Sequence, residues 1–209
     1  MFDAVIFDLD GTLLDTEAVA LRLGHDCLRE MGQTPDMAVF HAMIGKDAPT
    51  SDLILQAAYP TLDIAAFSTL WRGGFEAALE HDLPLKPGAH DILSAIALPK
   101  AICTSSRRDS ALRKLDLAGL AGHFTAVVSL DDVSRAKPHP EPYLTAAAWL
   151  GVNPDRCLVF EDSETGAASA RQAGCTVVQV PDMLPATGDH AHHVAATLLE
   201  GARRAGVLA

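Results

Sequence analysis

The sequence predicts an α/β protein in which a doubly wound parallel sheet forms the core and an α-helical domain is inserted into it. Short apolar runs alternate with helical segments after residue 84, and each of these helices ends at a glycine or a proline-containing turn. Between Leu14 and Leu83, by contrast, the apolar residues keep helical spacing only. Strands that alternate with helices form right-handed crossovers, which is the connectivity of a parallel sheet.

The predicted strands are short and rich in Val, Ile and Phe, as expected of strands that are buried on both faces. They cover residues 4–7, 100–104, 125–130, 157–160 and 176–180. The helices predicted between them cover residues 89–97, 109–117, 141–150 and 165–173. Glycines follow three of these helices, where a left-handed C-terminal cap favours a residue without a Cβ atom.

The inserted domain is predicted to consist of helices over residues 17–31, 36–44, 50–58 and 64–80. Turns that contain Gly32, Gly45 and Pro60 separate them. We assign residues 1–15 and 84–209 to the core domain and residues 16–83 to a helical cap. The two crossovers, near Asp15 and near Leu83, are expected to form a hinge.

Composition limits the possible partners. The chain has 209 residues and a formal net charge of −11, with no long basic patch, so nucleic acid is not an expected partner. No apolar run approaches the roughly 20 residues of a spanning helix, and no export signal is recognised, so we expect no membrane partner and a cytoplasmic location. The four cysteines are widely spaced and form no Cys-x-x-Cys pair, which suits a reducing compartment. We expect a monomer.

Acidic pairs follow two of the predicted strands. Asp8 and Asp10 come after the first strand, and Glu161 and Asp162 come after the fourth. Taken alone, Asp10-Gly11-Thr12 is also compatible with a plain turn that caps a helix. Because open α/β sheets bind ligands at the carboxyl ends of their strands, the two pairs together favour a hard-cation site, and oxygen ligands suit Mg²⁺.

Two further strand ends carry residues that can bind an anion. Thr104, followed by Ser105, offers a hydroxyl and a backbone N–H, although a simple helix cap is an equal explanation. Lys137 precedes Pro138, which keeps the backbone extended at the lysine and allows its ammonium to point inward. A lysine is more often a solvated surface residue, but this one follows the third strand.

Taken together, these four motifs resemble those of the haloacid dehalogenase superfamily, in the branch of β-phosphoglucomutase and phosphoglycolate phosphatase. The resemblance implies a Rossmann-like core, a helical cap and Mg²⁺ as cofactor. It implies Asp8 as nucleophile, Asp10 as general acid and base, Thr104 and Ser105 as phosphate-oxygen donors, and Lys137 as a charge-stabilising residue.

The resemblance also implies a set of metal ligands: Asp8, Asp10 through its carbonyl, and Asp162, with Glu161 acting through bound water. Asp10 also favours phosphoryl chemistry over carbon–halogen cleavage.

Substrate choice is expected to lie in the cap. Lys46, in Gly45-Lys46-Asp47, resembles the cap loop that contacts substrate in this branch, and Arg72 lies near a second such position. Both are equally compatible with exposed cations at helix ends. A mutase must bind a second phosphate in its cap, so the small number of basic residues there favours a phosphatase over a β-phosphoglucomutase-like mutase. The expected substrate is a small phosphate ester, with sugar phosphates as the expected class. A phospho-receiver or regulatory module is a more distant alternative.

Overall fold

The computed structural model describes residues 1–43, 48–81 and 83–208. The chain forms two compact units. One unit consists of Met1–Asp15 and Pro84–Ala209, and the other is the segment Thr16–Leu83 that lies between them in sequence. None of the helices in the described ranges is both long and apolar enough to cross a bilayer.

The first unit is built on a parallel sheet whose order in the described residues is β3-β2-β1-β4-β5-β6. The strands are β1 (Ala4–Phe7), β2 (Lys100–Cys103), β3 (Ala126–Val128), β4 (Cys157–Glu161), β5 (Thr176–Gln179) and β6 (His193–Val194). The register pairs Phe7 with Ile102 on one side and with Phe160 on the other. The predicted doubly wound α/β class is therefore confirmed, and the carboxyl ends of β1, β2 and β4 lie side by side.

The second unit contains α1 (Thr16–Glu30), α2 (Met37–Met43), α3 (Ala48–Ala58) and α4 (Ile64–His81). Its helices pack around an apolar cluster that includes Leu28, Phe40 and Phe67. Helix α2 begins one residue later than predicted, because the Asp36 carboxylate accepts the backbone N–H of Ala38 and so serves as a cap. The predicted end of this helix, at residue 44, lies outside the described residues.

The helices of the first unit are α5 (Ala89–Ala95), α6 (Arg108–Leu117), α7 (Glu141–Leu150), α8 (Glu164–Gln172) and α9 (Leu198–Arg204). Helix α8 begins where the Ser163 hydroxyl accepts the N–H of Gly166. Helix α7 ends at Gly151, whose φ of 69° gives the left-handed cap that the sequence predicts.

Two strands differ from the sequence prediction. Strand β3 ends at Val128 rather than at residue 130, because Ser129 and Asp132 form a capping box that turns the chain into a short 3₁₀ helix. Strand β6 was not predicted, because two residues are too few to show a period. It is placed by backbone hydrogen bonds from His192 to Val177 and from Ala195 to Gln179.

The sheet is the centre of the core. All residues of β1, β2 and β4 are buried, and the ring of Phe7 stacks on that of Phe160 with centroids 5.1 Å apart. A second set of small apolar residues fills the space between the sheet and helices α7 and α8, including Ala146, Ala147 and Ala170. This close packing fixes the ends of the strands, from which the polar residues project.

Candidate active site

Three acidic residues meet where β1 and β4 end. Asp8 is 6% exposed, and its backbone N–H donates to the carbonyl of Phe160, which ties the end of β1 to β4. Gly11 has a φ of 83°, so the chain can turn directly after Asp10. One carboxylate oxygen from each of Asp8, Glu161 and Asp162 lies within 4.8 Å of the others. Asp8 of the first acidic pair and both members of the second pair thus form one cluster, whereas the carboxylate of Asp10 contacts Ser106 and Lys114.

Lys137 is inserted into this cluster. Its Nζ donates to Asp8 Oδ1 at 2.7 Å, to Glu161 Oε1 at 2.6 Å and to the Cys103 carbonyl at 2.9 Å. The lysine side chain is only 5% exposed, which makes it unlike the solvated surface lysine that the sequence also allowed. Its three donors are all directed to oxygen atoms at the carboxyl edge of the sheet.

Glu161 is fully buried and its carboxylate is surrounded by donors. Oε1 accepts from Lys137 and from the Tyr143 hydroxyl at 2.7 Å. Oε2 accepts from the backbone N–H of Ser163 at 3.2 Å and from its hydroxyl at 2.9 Å. A carboxylate held in this way fixes the lysine more readily than it binds a cation directly, so the oxygen ligands best placed for a metal are those of Asp8 and Asp162.

Burial and charge shift the pKa values of these groups. Burial, reinforced by the charge of Glu161 and opposed by Lys137, raises the pKa of Asp8 to about 7. Burial and the charges of Glu161 and Asp8 raise the pKa of Asp162 well above its usual value. Although burial by itself would lower it, the carboxylates of Asp8 and Glu161 raise the pKa of Lys137 well above the ordinary lysine value.

The donor set fits a hard divalent cation. Asp8 and Asp162 supply carboxylate oxygens to the cluster, and burial, together with the charges of the neighbouring carboxylates, raises the pKa of both groups. A bound cation would favour the ionised form of both groups. The Thr12 hydroxyl donates to Asp162 Oδ1 at 3.4 Å, and the turn at Gly11 lies against Oδ2 of the same carboxylate.

The end of β2 carries a second group of polar residues. The Thr104 hydroxyl accepts the N–H of Ser106 at 3.0 Å, which leaves its hydrogen for another acceptor. The Ser106 hydroxyl donates to Asp10 Oδ2 at 2.8 Å. Lys114, on α6, donates to both carboxylate oxygens of Asp10, at 2.6 and 2.5 Å, and to Ser106 Oγ at 2.8 Å. Ser105 follows Thr104 directly and is exposed.

Of the two residues predicted in the inserted segment, the structure describes Arg72. Arg72 is exposed on α4 of the second unit. Lys46 lies outside the described residues. Their proposed contact with substrate therefore stays a prediction.

Sequence reasoning missed Tyr143, Ser106 and Lys114. Tyr143 lies on a helix whose apolar neighbours make an aromatic residue look like ordinary core. Lys114 did have a signal, because the buried residues of α6 are Ala111, Lys114 and Leu115, at helical spacing. A lysine on the apolar face of a helix usually has a buried partner. The identity of that partner depends on the fold.

Acidic side chains beside a buried lysine, at the carboxyl edge of a parallel sheet, are typical of an α/β enzyme, and their oxygen atoms could hold a metal ion. The chain belongs to the haloacid dehalogenase-like hydrolases, whose family model matches residues 2–174. The resemblance seen in the motifs is therefore confirmed, and so is the predicted class of phosphoric monoester hydrolases, since named relatives are phosphatases.

Curated relatives and solved structures align along most of the chain. Hexitol phosphatase A of Escherichia coli (strain K12) is 36% identical over 180 residues, covering 84% of this chain and 81% of the relative. Fructose-1-phosphate phosphatase YqaB of the same organism is 32% identical over 183 residues, covering 86% and 96%. The crystal structure of a candidate β-phosphoglucomutase from Thermotoga maritima has a TM-score of 0.80 and 27% identity, covering 92% of this chain and 94% of that one.

Proposed function

We propose that this protein is a Mg²⁺-dependent phosphatase that hydrolyses a small phosphorylated metabolite, a sugar phosphate, through an aspartyl-phosphate on Asp8. The observation that carries the proposal is the Asp8–Lys137 contact of 2.7 Å beside the Asp162 carboxylate. An aspartate at a strand end, next to a buried ammonium and a cation site, has the surroundings that a nucleophile needs when it attacks an anionic phosphate.

In the first half-reaction the Asp8 carboxylate attacks phosphorus, and a new P–O bond forms as the bond to the leaving oxygen breaks. Asp10 donates a proton to that oxygen, which leaves as the alcohol of the sugar. Bound Mg²⁺, held by Asp8, Asp162 and the Asp10 carbonyl, would offset the charge of the phosphate. The Lys137 ammonium offsets negative charge at the reacting phosphate, the Thr104 hydroxyl donates to a phosphate oxygen, and the Ser105 N–H adds a further donor.

In the second half-reaction water attacks the phosphorus of the aspartyl-phosphate. Asp10, now ionised, takes a proton from this water, and the bond between phosphorus and the Asp8 oxygen breaks to release inorganic phosphate. Glu161 holds Lys137 in place throughout both half-reactions. Its own carboxylate is fixed, because both Glu161 oxygens accept hydrogen bonds from protein donors.

A sugar phosphate is the proposed substrate class because two relatives are named for hexitol and fructose-1-phosphate substrates. We propose that residues 16–83 form a cap that selects the substrate, with Lys46 and Arg72 as contacts. We further propose that the enzyme acts as a cytoplasmic monomer. The second candidate is a β-phosphoglucomutase-like phosphomutase, which the likeness to the Thermotoga maritima structure favours.

The first experiment measures phosphate release with Mg²⁺ from a panel of sugar phosphates, phosphoglycolate, β-glucose 1-phosphate and an aryl phosphate, with the product sugars identified. Release from one or a few sugar phosphates supports the phosphatase. Conversion of β-glucose 1-phosphate to glucose 6-phosphate with little release establishes the mutase instead. A chain without Mg²⁺-dependent turnover of any panel member, the aryl phosphate included, is a receiver or regulatory module, and the enzymatic proposal is then wrong.

The mechanism is tested by Asp8→Asn, which removes the nucleophile and should abolish turnover. Asp155→Asn is the matched control, because Asp155 is an exposed aspartate at the opposite end of β4. This variant should keep wild-type activity. Full activity in Asp8→Asn would exclude an aspartyl-phosphate at this position.

A further inference from the structure

Lys114 is a buried lysine in the first unit that the sequence motifs do not include. Its side chain is 6% exposed, whereas the Asp10 side chain with which it pairs is 25% exposed. The two residues are 104 positions apart in sequence, so the contact exists only because the fold brings Lys114 of α6 to the turn that follows β1. Ser106, at the end of β2, contacts both of them.

The three side chains form a closed arrangement, which we call the Asp10 clamp (Asp10, Ser106 and Lys114). Lys114 donates to both carboxylate oxygens and to the Ser106 hydroxyl, and that hydroxyl in turn donates to Oδ2 of Asp10. Ser106 is itself oriented by the hydrogen bond from its N–H to Thr104 Oγ1. With both oxygens held by directed donors, the carboxylate has one preferred orientation.

A purely structural role does not account well for this arrangement. Burying an ammonium costs several kcal/mol, and a buried ion pair is often no more stabilising than apolar residues of the same size. An apolar side chain at position 114 would continue the buried face made by Ala111 and Leu115. The lysine instead places its charge against the one aspartate of the site to which we assign proton transfer.

We propose that Lys114 is a positioning residue of the phosphatase reaction, which acts with Ser106 to hold the Asp10 carboxylate in the orientation needed for proton transfer. This inference rests on the proposed function, since it requires Asp10 to act on the leaving oxygen and on water. All three members of the clamp belong to the first unit, so the orientation is set by the core itself. A general acid held in place before the substrate binds loses less entropy on reaching the transition state.

The test is a double-mutant cycle on kcat with p-nitrophenyl phosphate, whose leaving group needs little protonation, so that variants of Asp10 keep measurable turnover. Lys114→Met keeps most of the length of the side chain and removes its donors. We expect it to lower kcat by about 10- to 100-fold with little change in KM, as is typical when a residue that orients a reacting group is removed. In an Asp10→Asn background the same substitution should change kcat by less than about twofold, because the carboxylate that Lys114 is proposed to orient is then absent.

Lys100→Met is the matched control. Lys100 is also a buried lysine of the first unit, at the start of β2, and its Nζ donates to the carbonyl of Leu98 rather than to a site residue. It should keep wild-type kcat, although its thermal stability can change. Ser106→Ala is a milder second variant for the case in which Lys114→Met does not fold. It removes one hydroxyl from the clamp and should also lower kcat, again without a further effect on Asp10→Asn.

The inference is overturned if Lys114→Met and Ser106→Ala, where they fold, keep kcat within about twofold of wild type. It is also overturned if each of them lowers kcat by the same factor in the Asp10→Asn background as in the wild type. Failure of the proposed function gives a different pattern. In that case Asp10→Asn itself turns over alkyl and aryl phosphates at the wild-type rate, and Asp10 has no acid or base role for a clamp to serve.

Discussion

Gly166 lies in the first turns of α8, directly beside the carboxylate that anchors Lys137. A Cβ atom at this position would overlap Glu161 Cδ and both of its carboxylate oxygens, closer than any van der Waals contact permits. Glu161 has no room to move away, because it is fully buried and accepts hydrogen bonds from Lys137, Tyr143 and Ser163. The substitution Gly166→Ala should therefore break these contacts.

The size of the effect follows from two opposing contributions. In an unobstructed helix, alanine in place of glycine stabilises by about 1 kcal/mol. Breaking a buried ion pair from one side costs about 3–5 kcal/mol. We therefore expect Gly166→Ala to lower the free energy of unfolding by about 2–4 kcal/mol, and to lower Tm by about 4–16 °C for a chain of this size. Turnover should fall as well, because Lys137 loses one of its two carboxylate partners.

Gly73→Ala is the matched control, since Gly73 also lies inside a helix, and a Cβ atom added there would meet no other part of the described chain within 4 Å. It should raise the free energy of unfolding by about 0.5–1 kcal/mol. The assay is urea unfolding followed by circular dichroism, together with phosphate release under the same conditions. If Gly166→Ala is as stable as the wild type, the contacts of Glu161 do not constrain α8, and the reasoning fails.

Three further predictions concern single interactions. Tyr143→Phe removes one donor to the buried Glu161 carboxylate and should cost about 1.5–3 kcal/mol, measured by urea unfolding; an unchanged unfolding midpoint would contradict it. Because burial raises the pKa of Asp8 to about 7, the Asp8 carboxyl of the metal-free protein is mostly protonated below pH 7. Mg²⁺ affinity, measured by calorimetry, should therefore increase from pH 6 to pH 8, and equal affinity at the two pH values would refute this prediction. Asp3→Ala removes a half-exposed ion pair with Arg156 and should change the free energy of unfolding by less than about 1 kcal/mol. A large decrease in Tm would contradict the view that this exposed pair contributes little to stability.

The sequence was informative where one local rule governs the outcome. Val- and Ile-rich runs placed β1, β2 and β4 to within about one residue, because a strand buried on both faces has to be apolar throughout. Prediction was poorer for β3, where the capping side chain of Asp132 ends the strand early, and for β6, which two backbone hydrogen bonds place rather than a pattern.

The position of the candidate site was also readable from sequence. Strand ends of a parallel sheet share one edge, so Asp8, Thr104, Lys137 and Asp162 could be assigned to one place before any distance was known. What each group does there was less accessible. That Glu161 acts through metal-bound water stays a prediction, and the structure adds that its carboxylate accepts hydrogen bonds from Lys137, Tyr143 and Ser163.

The amino-acid sequence by itself thus determined the fold class, the family and the edge of the sheet at which the candidate site lies, because each depends on residues that are neighbours in the chain or that follow a strand. Only the tertiary structure decided which side chains meet. The contacts of Lys114 with Asp10 and of Tyr143 with Glu161 join residues that are not neighbours in the sequence, and they arise from the way the helices of the first unit pack. Packing of this kind depends on the shapes of many side chains at once, and no local pattern in the sequence encodes it.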